Sequence, residues 1–302
     1  MVATTDTELL DPAHLSRIED FSLLAKVVVD GAMPGIHRSL RQGRGTEFFQ
    51  YRPYDPGEDL KVVDWKVYAK REELVAKTFQ EDTNFNLFLV LDTSASMAYQ
   101  GEAASCAKLH YASMLAACFA YLAYRQGDRV GLFAYGQEVQ QWIRPKSGHA
   151  HFGRVVNALA QLQAGGVNKH EAMWDQLVGN MPGRSTVVFL SDFLEAEDIL
   201  PERLRFALSS RYEALCLQVL DREEEKLPSG DALRFVEMEG TREVSTSPEV
   251  IRDEFSNRMN EFKDTLERNL SSVSAEFESL YTDQDLGHAL RRFLGVRNRN
   301  VG

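Results

Sequence analysis

The chain is poor in the features that anchor a protein or lock it covalently. Its three cysteines, Cys106, Cys118 and Cys216, are an odd number without metal-type spacing. Each lies in an apolar run where a thiol serves as a small core residue, which points to a reducing compartment. Long hydrophobic runs are missing: the longest apolar tract, ASMLAACFAYLAY (112–124), is too short to span a bilayer and is flanked by His110 and Arg125. The stretch MVATTDTELLDPAH has neither a basic start nor an apolar segment, so it is not read as a secretory signal. A cytoplasmic protein without membrane insertion is the expectation. Positive charge is scarce as well. A formal net charge of -11 argues against a nucleic-acid binder that neutralises phosphates and against a polybasic membrane-surface protein. The local exception is residues 37–77, with nine Lys/Arg against seven acids.

What is present is enough apolar material for a sizeable core, 44% of 302 residues. From residue 85 onward, short β-type runs alternate with longer helical patterns. That order predicts an α/β fold of Rossmann type, a doubly wound and mostly parallel sheet covered on both faces. Strands are expected at 85–91, 129–135, 185–191, 212–220 and 275–280, with edge strands at 139–144 and 233–239. Helices are expected near 103–125, 150–163, 169–179, 197–209 and 285–294. A longer one at 249–270 follows from Ile251, Phe255, Met259, Phe262, Leu266 and Leu270, which recur at helical spacing behind Ser247 and Pro248. Residues 1–82 read as an arm packed on a main domain of 83–302. The arm is expected to hold a helix near 13–30, a turn at Asp55-Pro56-Gly57-Glu58, and a short helix that Asp59 caps and that carries Val63 and Val67.

The segment FLVLDTSASM (88–97) ends an apolar run on an acid and sets two hydroxyls at alternate positions behind it. In an open parallel sheet, ligands sit beyond the carboxyl ends of the strands, where Asp92 falls. Asp92, Ser94 and Ser96 offer only hard oxygen atoms, a donor set suited to Mg²⁺ or a similar cation. Asp192, after the run 185–190, would reach the same solvent-facing rim if the two strands are neighbours. The competing reading makes these residues helix caps, and Asp192 has Glu195 three residues on, as a capping pair would. Ser94 is in no GxSxG elbow. His149 and His151 read as solvated or packed histidines. GNMPGRST (179–186) departs from a phosphate loop in spacing, in Arg for Lys, and in preceding a strand.

At these residues the sequence resembles a von Willebrand factor A domain, whose metal-ion-dependent adhesion site reads DxSxS after the first strand, Thr in a later loop, and Asp after a later strand. Asp92, Ser94 and Ser96 match the first element and Asp192, in VVFLSDF, the last. AGGVNKHEAM (164–173) resembles the middle loop, with Val167 where threonine is expected and water or Asn168 left to take its place. The resemblance implies Mg²⁺ or another divalent cation on Asp92, Ser94, Ser96 and Asp192. The stretch GRGTEFFQYRPYDPGEDLKVVDWKVYAKREELVAKTFQED resembles the signature of the bacterial "domain of unknown function 58" family. Arg52, Tyr54, Pro56, Gly57, Asp64, Trp65, Ala69 and Lys70-Arg71 carry it, with Glu58 where Asp is usual.

Two readings of the arm follow. In one, Arg52 and Asp64 form a charge-assisted pair while Trp65 and Tyr54 plug the arm onto the sheet. In the other, Arg38, Arg41 and Arg44 present a surface to an acidic partner. The family resemblance implies a non-enzymatic protein-interaction adaptor that acts with a MoxR-type AAA ATPase in protein maturation or assembly. A partner carboxylate would complete the cation, so binding would weaken without metal. The alternative is a metal-dependent hydrolase of phosphate or acyl substrates, for which the sequence offers no evident general base near the rim.

Overall fold

The computed structural model describes residues 11–32, 47–54, 63–80, 86–166, 176–177, 185–194, 202–204, 212–225, 227, 233–236, 243–246 and 248–299. The labelled helices are α1 (Pro12–Leu15), α2 (Phe21–Ala32), α3 (Trp65–Arg71), α4 (Lys108–Gln126), α5 (His149–Ala160), α6 (Arg222–Glu225), α7 (Pro248–Ser271) and α8 (Leu286–Arg299). The strands are β1 (Glu47–Pro53), β2 (Val75–Gln80), β3 (Asn86–Asp92), β4 (Arg129–Tyr135), β5 (Val139–Lys146), β6 (Ser185–Ser191), β7 (Tyr212–Leu220), β8 (Leu233–Val236), β9 (Glu243–Thr246) and β10 (Glu276–Tyr281). Two compact units result, 1–32 with 85–302, and 33–84.

The larger unit is built on a six-stranded sheet in the order β10-β7-β6-β3-β4-β5. All neighbours pair in parallel except β5, which returns antiparallel along β4. Counted from β3, this is the 3-2-1-4-5-6 order of a doubly wound fold, and its switch point lies between β3 and β6. β3 and β6 therefore sit at the centre and are buried along their whole length, which explains why their sequences are continuous apolar runs instead of alternating ones. Three expected strands, at 129–135, 185–191 and 212–220, coincide with β4, β6 and β7. The expected edge strand at 233–239 does not join this sheet. Its described part is β8, which pairs with β9 in a separate two-stranded ribbon. The helices expected at 169–179 and 197–209 fall largely outside the described residues.

One sheet face carries Phe88, Val90, Phe133, Val187, Phe189 and Cys216, and α7 lays Leu266 and Leu270 on that core. The other face packs on α4, which runs without an exposed residue from Tyr111 to Ala123. A helix apolar on every side needs cover on every side. The sheet supplies one flank, and α2, α5 and α8 supply the rest. The buried stripe of α2 is Phe21, Leu24, Ala25, Val28 and Val29. This packing corrects the expected 1–82 arm: the N-terminal helices belong to the sheet unit, and the second unit starts after Ala32. The single helix expected near 13–30 is broken into α1 and α2, with Asp11 accepting from the Ala13 N–H and Asp20 from the Ser22 N–H at its N-terminal ends, each at 2.8 Å.

In the smaller unit, β1 and β2 pair antiparallel with an irregularity between Phe48 and Gln50. The cap of α3 is Asp64, not the expected Asp59. Asp64 Oδ1 accepts from Lys66 N at 2.9 Å and Val67 N at 3.4 Å, and Val63 bridges to Ala76 in the small core. Trp65 is 53% exposed and meets the Tyr68 ring edge-on. The Arg52 side chain, and Arg38, Arg41 and Arg44, lie outside the described residues.

Candidate functional site beyond the central strands

Asp92 is the last residue of β3. Its Oδ1 accepts the Ser94 N–H at 2.8 Å, closing an Asx-type turn that bends the chain out of the sheet. Thr93 N donates to Tyr135 O at 2.7 Å, which keeps the bend beside β4. The turn continues through a 3-10 segment, Ala95–Ala98, and the Ser94 and Ser96 hydroxyls lie 3.0 Å apart. From the neighbouring strand, Ser191 Oγ donates to Asp92 Oδ2 at 2.6 Å and accepts from Phe193 N at 2.9 Å. Asp192 follows, with Oδ1 accepting from Leu194 N at 3.1 Å. The adjacency of β3 and β6 thus brings both acids to one place, as the strand order requires.

The expected middle loop arrives as well. Gly165 N donates to Thr93 O at 2.9 Å and Ala95 N to Gly166 O at 3.0 Å. Gly166 has φ +77, a conformation that favours glycine, and an added Cβ would stand 2.8 Å from Gln137. Val167 and Asn168 lie outside the described residues.

A residue that the sequence reading passed over fills the cluster. Lys108, the first residue of α4, is fully buried, and its ammonium donates to Asp192 Oδ2 at 2.8 Å and to Glu224 Oε1 at 2.5 Å. Glu224 Oε2 accepts from Asp221 N at 2.8 Å. The backbone carbonyl of Asp192 takes the Gln218 amide at 3.0 Å, and that amide is oriented by Ser279 Oγ at 2.8 Å. The turns after β3, β6 and β7 are therefore laced through side chains and backbone. The four oxygen-bearing residues gather as expected, but not in an open cup: exposure is 1% for Asp92, 1% for Ser94, 8% for Ser96 and 1% for Asp192.

The two acids differ in charge state. Burial raises the Asp92 carboxyl, the nearby Asp192 charge raises it further, and the donors Ser191 and Ser94 recover only part, leaving it at about 7. Burial acts on Asp192 in the same direction, yet the Lys108 ammonium with the hydrogen bonds from Lys108, Ser96 and Leu194 outweighs it, and Asp192 is held below the usual carboxylate range. Lys108 is desolvated, but Asp192 and Glu224 keep its pKa above that of a free lysine. Glu224 ends up raised, because its burial outweighs the same ammonium.

A divalent cation fits this arrangement poorly. Held by the same Asp192 oxygen at a metal–oxygen distance of about 2.1 Å, it would stand within about 5 Å of the ammonium. Their repulsion would then be about 7 kcal/mol at an effective dielectric constant of about 20. The His149 ring is exposed and lies tilted at 51° to the Tyr124 ring, with centroids 5.7 Å apart, and the buried His151 has its Nε2 2.8 Å from Val130 O.

A sheet of this order, with an Asp/Ser turn beyond its central strand and a second acid beyond the next, defines a von Willebrand factor A-like α/β domain. The chain belongs to the family described as "Protein of unknown function DUF58", which matches residues 50–265. It is 29% identical over 296 residues to "Uncharacterized protein Mb1516" of Mycobacterium bovis, covering 96% of this chain and 92% of that protein. "Uncharacterized protein YeaD" of Bacillus subtilis is 29% identical over 110 residues, 36% of this chain and 25% of its own length. Among solved structures, BatB from Bacteroides thetaiotaomicron is 10% identical, with 71% of this chain and 99% of that chain covered at a TM-score of 0.46. The von Willebrand factor type A protein from Catenulispora acidiphila is 13% identical, with 72% and 43% covered at a TM-score of 0.43.

Proposed function

We propose that this chain is a cytoplasmic, non-enzymatic adaptor whose strand-end face docks a MoxR-type AAA ATPase during the maturation or assembly of other proteins. One observation carries the reading. The acids and hydroxyls that could do chemistry at the switch point are tied to protein donors inside the turns, while Ala98, Gln137, Glu138, Gly165 and Gly166 lie exposed around them. Backbone and short side chains held rigid in this way make a platform for another protein's surface, not a pocket that encloses a small substrate. No described helix is long and apolar enough to cross a membrane. Arg38, Arg41 and Arg44 would add a basic contact for an acidic partner.

The test is co-elution of the purified chain with the MoxR-type ATPase of the same organism. A stable complex is expected, and Ala98→Arg, which places a long cation on the platform, removes it. Failure of the two proteins to co-elute contradicts the reading. Turnover of generic phosphoesters by the purified chain, lost in Asp92→Ala, would replace it with the hydrolase reading.

A further inference from the structure

Lys108 stands alone in its stretch of sequence: between Ala103 and Tyr124 no other Lys, Arg, Asp or Glu occurs. A long amphipathic side chain at a helix start normally reaches for solvent. This one turns inward, is 0% exposed, and joins the turn after β6 to the turn after β7 by bonding Asp192 and Glu224. All four carboxylate oxygens of the two acids already receive protein donors. Ser94 N and Ser191 Oγ serve Asp92, and Leu194 N and Lys108 Nζ serve Asp192. The hydroxyls of Ser94 and Ser96 bond one another. The position of the threonine that would add a further hard oxygen is Val167 in this sequence.

We infer that the Lys108 ammonium supplies, from within the chain, the positive charge that a divalent cation would bring to such a cluster, so that the strand-end platform is assembled without metal. A covalently tethered cation costs no metal uptake and leaves no coordination position for a partner's carboxylate. The platform then binds through its surface alone. That last clause rests on the adaptor reading. The charge assignment does not, and the experiment below uses the chain by itself, so the two fail separately.

The full-length chain is stripped with a chelator and titrated with Mn²⁺, with free ion followed by paramagnetic resonance, and its melting is compared in excess Mg²⁺ and in chelator. No saturable uptake is expected below about 1 mM free Mn²⁺, and the melting temperature is expected to be the same in both buffers, because a ligand bound to the native state alone would raise it. Uptake of one equivalent of Mn²⁺ with a micromolar dissociation constant, lost in Asp92→Asn, overturns the inference. Lys108→Met is measured in chelator alongside. A fall in melting temperature of about 10 °C or more, or loss of folding, is expected from stranding two buried acids. A Lys108→Met chain that melts like the wild type contradicts the assignment.

Discussion

Asp192 keeps its charge because Lys108 stands 2.8 Å away, whereas Asp92 accepts from the Ser191 hydroxyl and the Ser94 amide and has another acid, Asp192, as its near neighbour. Substitutions at the two positions should therefore behave differently. Asp192→Asn leaves a buried ammonium with Glu224 as its remaining acid and should cost about 3–5 kcal/mol in urea unfolding at neutral pH. Asp92 has a folded pKa of about 7 against a reference value of 3.8. Between those values the folded state holds a proton that the unfolded state has released, so stability falls as pH rises through that window and levels off above it. Asp92→Asn removes this slope. Relative to the wild type it should gain as much as about 4 kcal/mol between pH 4 and pH 8. A gain in the opposite direction would mean that the ionised form of Asp92 is the stable one. Asp92, Ser94, Ser96 and Asp192 were legible in the sequence because each follows an apolar run that ends a strand. Lys108 and Glu224 were not: 84 and 116 residues separate Lys108 from its two partners. Glu224 sits in a run of acids that reads as a solvated turn.

Segments rich in a single period were the easiest to place. β4, β6 and β7 agree with the expected spans, and α7 extends the expected helix by one residue at each end. The all-round apolar character of α4 announced a helix without a solvent face, but nothing in its own sequence says which elements cover it. The cover comes from α2, more than 75 residues earlier, and this is why the sequence division at residue 82 misplaced the N-terminal helices. Leu24→Asp, at a position with 0% exposure on the α2 stripe, should place an unpaired charge against this packing and destabilise the fold by about 4 kcal/mol or more, read by urea unfolding. Gly131 on β4 has a different constraint. A Cβ there would stand 2.7 Å from the Phe88 ring and 2.8 Å from Pro145, so Gly131→Ala should cost about 1–3 kcal/mol by overpacking and lower the melting temperature.

The sheet unit and the smaller unit together cover the span shared with the Mycobacterium bovis relative, whose similarity extends over 96% of this chain. The family signature was legible because its Arg, Tyr, Asp and Trp positions are spaced along one continuous stretch. The physical roles of two of them were not. Asp64 caps α3 through its own side chain, and Trp65 lies on the surface of its unit, where an exposed indole makes contact area available to a partner. Trp65→Ala removes a side chain that is 53% exposed and should lower the melting temperature by no more than a few degrees, which calorimetry checks.

Docking through the strand-end face is tested most directly by capture of the purified MoxR-type ATPase on the immobilised full-length chain, wild type beside Ala98→Arg and Glu138→Arg, in chelating buffer. The account predicts retention by the wild type and loss of at least about 1.4 kcal/mol, a tenfold weakening, in each rim variant with its melting temperature unchanged. Equal capture by all three proteins would contradict it.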